Sequence, residues 1–319
     1  MPMQWSYSGS KQFTRCQRSW YFRNSVVNKQ PNAKNPLRRE AFLLSQLQSI
    51  AAWRGSLVDT VIEQEIILPL SRKATISEQR TLRYAEDLFD RQLRFAENLW
   101  DWWKEGTTKS EAGEEFAALA VLYEGKKIPE DELEQAWKDV EVAIQNLFAN
   151  EEIIVALEQA DQLFAQRTLY LKDDDFTVVA KPDVIAFYED HPPLIIDWKV
   201  HQSGLKDYWL QLACYALALA QGKPHRDFMI EQNQYQPTEI DCVEVQLLTN
   251  QTRSYRLDDA DVDAVENYIF SSAMKMLAAL GDEGNAVLRP FEFASARNPV
   301  QCDYCPFKTM CWEERIWKS

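Results

Sequence analysis

The first half of the chain spaces its apolar residues with the period of an amphipathic helix. Prolines, glycines and polar clusters divide this region into segments. The predicted elements are a short helix from Ser10 to Phe22, a loop from Pro31 to Pro36, a long helix from Leu37 to Leu68 interrupted at Gly55 and stopped by Pro69, and two helices over 76–104 and 128–160 with a polar break at Glu105–Gly113. The region is therefore predicted to consist of helices joined by a loop and a polar break.

After residue 160 the pattern changes to the period of 2 that is typical of strands. The predicted strands are Leu163–Leu171, Thr177–Tyr188, Leu194–Val200, Val243–Leu248 and Ser254–Leu257, with turns at Asp173–Asp175, Asp190–Pro193 and Asn250. Helices are predicted at Lys206–Gln221 and Asp258–Ala279, and the tail from Val287 is predicted to be a loop followed by a short helix. A small mixed sheet flanked by helices places the chain in the α/β class.

Two of the predicted strands carry a constellation of charged residues. Asp183 lies within one strand, and thirteen residues separate it from Asp197, which lies with Lys199 on the next strand. Residues two apart on a strand point to the same face, and a hairpin could bring Asp183 beside them. Two converging carboxylates suit Mg²⁺ or Mn²⁺, and a neighbouring lysine can orient a water and offset charge on a phosphate.

A plain ion pair between Asp197 and Lys199 is the alternative interpretation, because charged residues in an apolar strand are costly to bury unless they are paired or metal-bound. The helix that follows favours a site. Gln211 and Tyr215 are four apart and share one face of this otherwise apolar helix. Their amide and hydroxyl groups require polar partners, such as a phosphate or a metal-bound water.

The cysteines suggest a second metal centre. Cys302, Cys305 and Cys311 are close in the sequence, and Cys16 stands near the other end of the chain. Four such thiols suggest a metal rather than disulfides, and composition alone leaves zinc and an iron–sulfur cluster equally open. The remaining two, Cys214 and Cys242, lie in apolar patterns and are predicted to be buried small hydrophobic residues.

Composition and charge limit the classes of function that the chain can have. Hydrophobic residues make up 46% and charged residues 26%, the balance of a soluble globular protein, and no apolar run is long enough to cross a bilayer. With no secretory signal in the first residues, we expect a cytoplasmic protein without a membrane partner. The net charge is −14, yet residues 1–40 hold eight Lys or Arg and one acid, whereas 111–161 hold fourteen acids. This asymmetry suits local contact with phosphates, although both runs could be solvated helix faces.

Together these residues resemble the RecB-like branch of the PD-(D/E)XK nuclease superfamily. The order matches: a carboxylate, D-x-K on the next strand, then Q-x-x-x-Y on a helix. The stretch Arg54–Glu63 is similar to the first motif of the family, with Asp59 where the family has a metal-binding His. The resemblance implies metal ligation by Asp59, Asp183 and Asp197, water orientation by Lys199, and positioning of phosphate or water by Gln211 and Tyr215. An exposed helix residue is the alternative interpretation of Asp59.

The cysteine pattern resembles that of the iron–sulfur RecB-like nucleases, which include CRISPR-associated nucleases and AddB-type nuclease domains. The resemblance implies a 4Fe–4S cluster that joins the two ends of the chain through Cys16, Cys302, Cys305 and Cys311. The corresponding plan has four parts: N-terminal helices with the first cluster cysteine and first nuclease motif over 1–70, a helical insertion over 71–161, a nuclease core over 162–285 and a cysteine segment over 286–319.

The function that follows is a metal-dependent DNA nuclease, with exonuclease or end-trimming action on single-stranded or frayed DNA implied by the resemblance. Its setting would be DNA repair, recombination or CRISPR-type defence. Arg15, Arg18 and Arg23 are candidates for contacts to the DNA backbone. The alternative is a non-catalytic DNA-binding or scaffold subunit of a helicase–nuclease or defence complex. No G-x-x-x-x-G-K-[ST] loop is present, so a helicase would have to be a partner protein.

Overall fold

The computed structural model describes residues 2–27, 35–98, 101, 104–105, 107–201, 209–228, 234–281 and 289–312. The chain forms two compact units, and each is assembled from three separate segments. The core unit comprises Met1–Tyr7, Arg54–Phe89 and Glu130–Phe270, and the cysteine unit comprises Ser8–Trp53, Asp90–Pro129 and Ser271–Ser319. The four-part plan inferred from the sequence stays a prediction.

Two sheets form the framework of the core unit. The strands are β1 Met3–Trp5, β2 Gln162–Ala165, β3 Leu169–Lys172, β4 Phe176–Ala180, β5 Val184–Phe187, β6 Leu194–Lys199, β7 Asp241–Gln246 and β8 Gln251–Tyr255. The larger sheet has the order β2-β5-β6-β7-β8, and the smaller has the order β1-β4-β3. Pairing is parallel between β6 and β7 and between β1 and β4, and antiparallel elsewhere. The mixed α/β class is therefore confirmed.

Two predicted strands are each divided between the two sheets. The stretch predicted as one strand over Leu163–Leu171 breaks at Gln166, whose φ is 52°, and continues in the smaller sheet. The stretch predicted over Thr177–Tyr188 breaks at Lys181–Asp183, because Pro182 has no N–H to give to a ladder. Asp183 consequently does not lie within a strand as predicted, but immediately before β5. The hairpin turns at Asp173–Asp175 and between β5 and β6 are confirmed.

The helices depart from prediction where short segments interrupt them. Their bounds are α1 Tyr7–Arg15, α2 Gln17–Tyr21, α3 Pro36–Ser45, α4 Ile50–Ile62, α5 Leu68–Ser71, α6 Glu78–Glu97, α7 Lys109–Ala112, α8 Ala120–Tyr123, α9 Glu130–Ala149, α10 Glu151–Gln159, α11 Trp209–Gln221, α12 Asp259–Leu280, α13 Val300–Asp303 and α14 Lys308–Trp312. The long helix predicted through Gly55 breaks earlier, between α3 and α4. The helix continues past Pro69. A wider π turn over Glu63–Ile67 precedes this proline and avoids the usual clash between a proline ring and the carbonyl group of the preceding turn.

Helix α11 connects the two parallel strands of the larger sheet, β6 and β7. It packs directly on the sheet: the Sγ of Cys242 lies 3.8 Å from the carbonyl oxygen of Leu212, and Cys214 and Cys242 are both buried as predicted. The predicted start of this helix at Lys206 falls outside the described residues. It ends at Gly222 as predicted, where a Cβ would clash with the carbonyl oxygen of Ala218 and lie 3.0 Å from that of Tyr170 in β3, so only glycine fits.

Aromatic pairs build the core of the cysteine unit. Tyr21 stacks on Phe293 with ring centroids 4.0 Å apart, and Phe22 stacks on Phe307 at 5.4 Å. The edge of the Phe13 ring meets Trp20 at 5.0 Å. These contacts join α1 to α2, and they join the end of α2 and the residue that follows it to the segment that contains Phe293 and Phe307. Across the described residues of both units, no helix has the length and apolar character needed to span a membrane.

Candidate active site

The hairpin of β5 and β6 brings Asp183 beside the Asp197 strand. Val184 pairs with Ile196, so Asp183 faces the segment that holds Asp197 and Trp198. The backbone N–H of Trp198 donates a hydrogen bond of 2.9 Å to Oδ2 of Asp183. Asp197 is only 1% exposed. The sequence-based expectation that these two carboxylates approach each other is therefore met.

Lys199 and α11 complete a connected polar network around Asp197. Lys199 Nζ forms an ion pair with Asp197 and donates to Gln211 Oε1 at 3.4 Å. Gln211 Nε2 donates to Asp197 Oδ1 at 3.2 Å and to the Tyr215 hydroxyl at 2.6 Å. The ion pair anticipated as the alternative is present. The network reaches beyond a plain salt bridge, because the Gln211 amide from another element donates to the same carboxylate and the Tyr215 hydroxyl accepts from that amide.

Asp59 approaches the same carboxylates from α4. Arg54, five residues earlier on this helix, donates to the carbonyl oxygen of Val200 at 2.6 Å and so fixes α4 at the end of β6. Burial, then the charges of Asp183 and Asp197, raise the pKa of Asp59 to about 8. The interpretation of Asp59 as an exposed helix residue is therefore wrong, since it is partly buried within electrostatic reach of both acids.

Burial disfavours the charged forms of all three acids, and neighbouring acid charges add to this effect for Asp59 and Asp197. Burial and then the charge of Asp183 raise the pKa of Asp197 to about 7, and burial raises the pKa of Asp183 as well. Burial is also the main cause that raises the pKa of Tyr215 well above its ordinary value. Clustered carboxylates of this kind gain most from a nearby cation, because it stabilises every one of their charged forms.

Three further polar residues at the site have no counterpart in the sequence-based prediction. Glu244 and Gln246 on β7 pair in register with Asp197 and Lys199 on β6. Their spacing of two within an apolar strand is the same signal that singled out the Asp–x–Lys pair, and it was available in the sequence. Gln166 donates to Asp183 Oδ1 at 2.8 Å. No local pattern marks it, because its role depends on the positive φ that ends β2.

The donor chemistry at this site fits a hard divalent cation. Carboxylate oxygens are the ligands preferred by Mg²⁺ and Mn²⁺, and the charges of Asp183 and Asp197 help to raise the pKa of Asp59, as the charge of Asp183 does for the pKa of Asp197. In the positions that the described residues occupy, no three His, Cys, Asp or Glu side chains converge closely enough to hold a metal ion. Metal ligation by these three residues therefore stays a prediction.

The four predicted cluster cysteines lie in the cysteine unit as free, half-buried thiols. Ser19 links two of them: its backbone N–H donates to Cys16 Sγ at 3.4 Å, and Cys305 Sγ donates to its hydroxyl at 3.8 Å. Burial and the charges of Cys16 and Cys311 raise the pKa of Cys302, which places these thiols within electrostatic reach of one another. The described thiols are not close enough together to form a metal-binding group, so the iron–sulfur staple is not shown.

The three predicted DNA-contact arginines differ in their surroundings. Arg18 Nε donates to the carbonyl oxygen of Phe293 at 3.1 Å, and its Nη1 lies 3.5 Å from Cys311 Sγ. Arg23 is exposed, and its guanidinium lies 5.9 Å from the ring centroid of Phe307. Arg15 is exposed at the end of α1. Arg15 and Arg23 remain open to a phosphate, whereas Arg18 already holds the C-terminal segment.

A carboxylate before one strand, an Asp–x–Lys pair on the next and a Gln–Tyr pair on the following helix are the features that carry the resemblance to the nuclease superfamily, and hydrogen bonds connect them in the structure. The chain belongs to the PD-(D/E)XK nuclease superfamily, whose family model matches residues 4–312. Members of this superfamily are generally nucleases that use divalent metals such as Mg²⁺.

Comparison with other proteins adds little to this assignment. No curated protein matches the chain. Among solved structures, one titled "Crystal structure of SSO0001" is similar, with 15% sequence identity over 60% of this chain and 79% of the other, at a TM-score of 0.27. At that score the likeness carries no argument about this protein.

Proposed function

We propose that this protein is a metal-dependent deoxyribonuclease with its active site at Asp183, Asp197, Lys199, Gln211 and Tyr215. The observation that carries the proposal is the polar network around Asp197, in which Lys199 and Gln211 both contact one buried carboxylate. A fold needs no such network for stability, because buried ion pairs contribute little compared with apolar packing. A reaction that builds charge on a phosphate does need it.

The protein's own groups divide the chemistry between them. Mg²⁺ or Mn²⁺, held by Asp183 and Asp197 with Asp59 in the position of the family's His, supplies Lewis-acid polarisation of the phosphate when bound. Lys199 Nζ orients the attacking water and offsets negative charge as it develops. Gln211 fixes the direction of Lys199, because its amide oxygen accepts from Nζ while its amide nitrogen donates to Asp197. Tyr215 in turn accepts from that nitrogen and locks the orientation of the amide.

The substrate and cofactor assignments are finer parts of the same proposal. We propose single-stranded or frayed DNA ends as the substrate, with Arg15 and Arg23 as backbone contacts, in repair, recombination or defence, alongside a helicase or other partner protein. We propose a structural 4Fe–4S cluster on Cys16, Cys302, Cys305 and Cys311. What supports the cluster is the set of four free thiols in one unit, two of them bonded to Ser19.

The test is cleavage of end-labelled single-stranded DNA, duplex DNA and single-stranded RNA with Mg²⁺ or Mn²⁺. Wild type is compared with Lys199→Ala and with Lys172→Ala, a control that removes an exposed lysine from β3 of the same unit. We expect the Lys199 variant to lose about a hundredfold or more in rate, as for loss of one group that stabilises transition-state charge, and the control to cleave normally. Equal rates for wild type and Lys199→Ala would overturn the assignment.

One observation favours a non-catalytic binding subunit as the second candidate. Asp59 stands at the position where the resemblance to the first motif of the family implies a metal-binding His. A binding subunit would retain DNA in a gel-shift assay at wild-type affinity and leave every labelled strand intact with either metal. Cleavage that requires Lys199 excludes this candidate.

A further inference from the structure

Two arginines of the core unit share one acidic partner. Arg167 lies just after β2, and Arg226 lies in the segment that follows α11. Asp227 Oδ2 is 3.5 Å from Arg167 Nη1, and Asp227 Oδ1 is 3.5 Å from Arg226 Nε. Two guanidinium groups are thus held around a single carboxylate, and this arginine pair carries one positive charge in excess.

The Arg167 guanidinium lies on the face of the larger sheet that carries Asp197. Phe164 on β2 pairs in register with Ile185 on β5, which pairs with Ile195 on β6. Ile195 is two residues before Asp197, so the side chains of this row and of Asp197 point to one face. The guanidinium carbon of Arg167 lies 5.6 Å from the centroid of the Phe164 ring. Arg167 therefore shares this face with the proposed active site.

The separation between Arg167 and Asp197 suits a phosphate that flanks the cleaved one. In the order of the larger sheet β5 alone separates β2 from β6, and two strand spacings amount to about 10 Å. A DNA strand has a phosphate at every nucleotide, so a strand bound at Asp197 has its next phosphate groups within about this range. Gln166, which precedes Arg167, donates to Asp183 Oδ1 and so fixes this part of the chain relative to the acids.

A surface ion pair is the structural alternative for these arginines. The side chain of Arg167 is 43% exposed and that of Arg226 is 93% exposed, and ion pairs at such exposure contribute little to stability. A guanidinium has five N–H groups, and the contact with Asp227 involves one nitrogen of each arginine. An anion with several oxygens can accept from the exposed N–H groups in pairs, and a phosphate matches that geometry.

We propose that Arg167 and Arg226 bind a phosphate of the substrate strand next to the scissile phosphate, and that Asp227 positions both guanidinium groups. This inference rests on the proposed function, because it takes the cleaved phosphate to lie at Asp197. The ligand is a phosphate group of a DNA strand, either an internal phosphodiester or a terminal phosphate. Contacts to phosphates set the register of a strand without reading its bases. The arginine pair therefore fixes which linkage reaches the acids.

Binding of fluorescent single-stranded DNA tests the phosphate contact apart from cleavage. The full chain carrying Lys199→Ala is titrated by anisotropy at fixed Mg²⁺ and several salt concentrations. Adding Arg167→Gln should weaken binding about tenfold or more. It should also reduce the slope of log affinity against log salt by about 0.7, as for one lost phosphate contact on a single strand.

Arg256→Gln is the matched control for this measurement. Arg256 is a 59% exposed arginine of the same unit, and it forms an ion pair with Asp241. Asp241 pairs in register with Leu194, three residues before Asp197. Its loss should change neither affinity nor salt slope. Arg167→Lys keeps the charge without the planar fork, so it should retain the salt slope while binding more weakly, which distinguishes a lost phosphate contact from a folding defect.

Neutral linkages in the DNA identify the phosphate that is bound. A methylphosphonate at one position beside the scissile linkage should slow wild type as much as Arg167→Gln does. The same linkage should slow Arg167→Gln no further, because both changes remove one contact. Substrates with a 5′-phosphate or a 5′-hydroxyl, compared at wild type and Arg167→Gln, distinguish a terminal phosphate from an internal one.

Unchanged affinity and salt slope in a folded Arg167→Gln protein would overturn this inference. If wild-type cleavage still required Lys199, the proposed function would stand without it. Additive losses from Arg167→Gln and from a methylphosphonate at every flanking position would also overturn it, since the arginine would then contact none of these phosphates. Wild type that neither binds nor cleaves DNA would remove the proposed function as well.

Discussion

Gln166 holds Asp183 by two hydrogen bonds at once. Its backbone N–H donates to the carbonyl oxygen of Asp183 at 2.9 Å, and its side-chain Nε2 donates to Oδ1 at 2.8 Å. Gln166 adopts a φ of 52°, a left-handed conformation that costs a residue with a Cβ on the order of 1 kcal/mol. With Trp198 donating to Oδ2, both oxygens of Asp183 are oriented by nitrogen donors.

This relationship predicts that Gln166 acts through Asp183. In Gln166→Gly the backbone conformation becomes favourable while the side-chain hydrogen bond is lost, so stability should be retained and cleavage should fall about tenfold or more. Thermal unfolding and the Mn²⁺ dependence of the cleavage rate measure the two effects separately. Asn also tolerates a positive φ and carries an amide on a shorter side chain. Gln166→Asn therefore serves as the control that keeps an amide at this position. A Gly variant with wild-type cleavage at every Mn²⁺ concentration would show that Gln166 only ends a strand.

Gln211 and Tyr215 should differ in their importance. Gln211 contacts Lys199, Asp197 and the Tyr215 hydroxyl, whereas Tyr215 is tied to this network through Gln211. We expect Gln211→Leu to lower the cleavage rate about a hundredfold, and Tyr215→Phe to lower it by about tenfold or less, since one neutral hydrogen bond is worth about 1 kcal/mol. Rates under single-turnover conditions decide the order. A larger loss for Tyr215→Phe would place the hydroxyl on the substrate instead.

The metal-free protein should become less stable as the pH rises from about 6 to about 8. The pKa of Asp59 is raised from 3.8 to about 8 and that of Asp197 to about 7. Because the folded state binds these protons more tightly than the unfolded chain, their contribution to stability is present at low pH and lost as the pH passes through the folded values. Ordinary carboxylates no longer titrate in this window.

Urea midpoints at pH 6 and pH 8, measured with a chelator, test this pH dependence. Asp59→Asn should flatten it, because the neutral amide has no proton to lose, and excess Mg²⁺ should flatten it in wild type. Asp241→Asn, outside the carboxylate group, should leave the slope unchanged. An identical slope in wild type and Asp59→Asn would show that Asp59 titrates normally in the folded protein.

The cysteines should bind one iron–sulfur centre jointly. Protein purified without air should show broad visible absorbance and contain iron and sulfide in near-equal amounts. Cys16→Ala should lose the colour and have a lower melting temperature, and any loss of cleavage should be a consequence of that lower stability. Cys214→Ala should keep the colour, because this thiol is buried in α11 and belongs to the core unit. Colourless protein with one tightly held zinc would replace iron and retain the four ligands. Full stability of Cys16→Ala would refute the staple itself.

The site residues that share one face of a single strand or a single helix could be predicted from the sequence. Asp197 and Lys199 are two apart on a strand, and Gln211 and Tyr215 are four apart on a helix, so each pair shares a face before any tertiary structure is known. Glu244 belongs with them only because β7 returns beside β6 after the long crossover through α11. The order of strands that are joined by such a crossover cannot be predicted from a short stretch of sequence.

The same limit explains the strand errors. A run such as Leu163–Leu171 has the alternation of one strand, and local propensity gives no reason to divide it between two sheets. The division depends on Gln166 adopting a positive φ, which its tie to Asp183 stabilises from seventeen residues away. Likewise, Pro182 indicates the end of a strand. The sequence-based prediction continued the strand through Pro182, because the residues on both sides of it are apolar.

The composition of the cysteine unit from distant segments has a consequence for synthesis in the cell. Tyr21 and Phe22 find their stacking partners in Phe293 and Phe307. At roughly 5–20 residues per second, a ribosome makes these partners about 15 to 55 s after it has made the first aromatic rings. During that interval the two rings lack their stacking partners and expose apolar surface. Chaperones bind nascent chains that expose apolar surface in this way. Premature termination before Phe293 would therefore yield an open, aggregation-prone chain rather than a shortened enzyme.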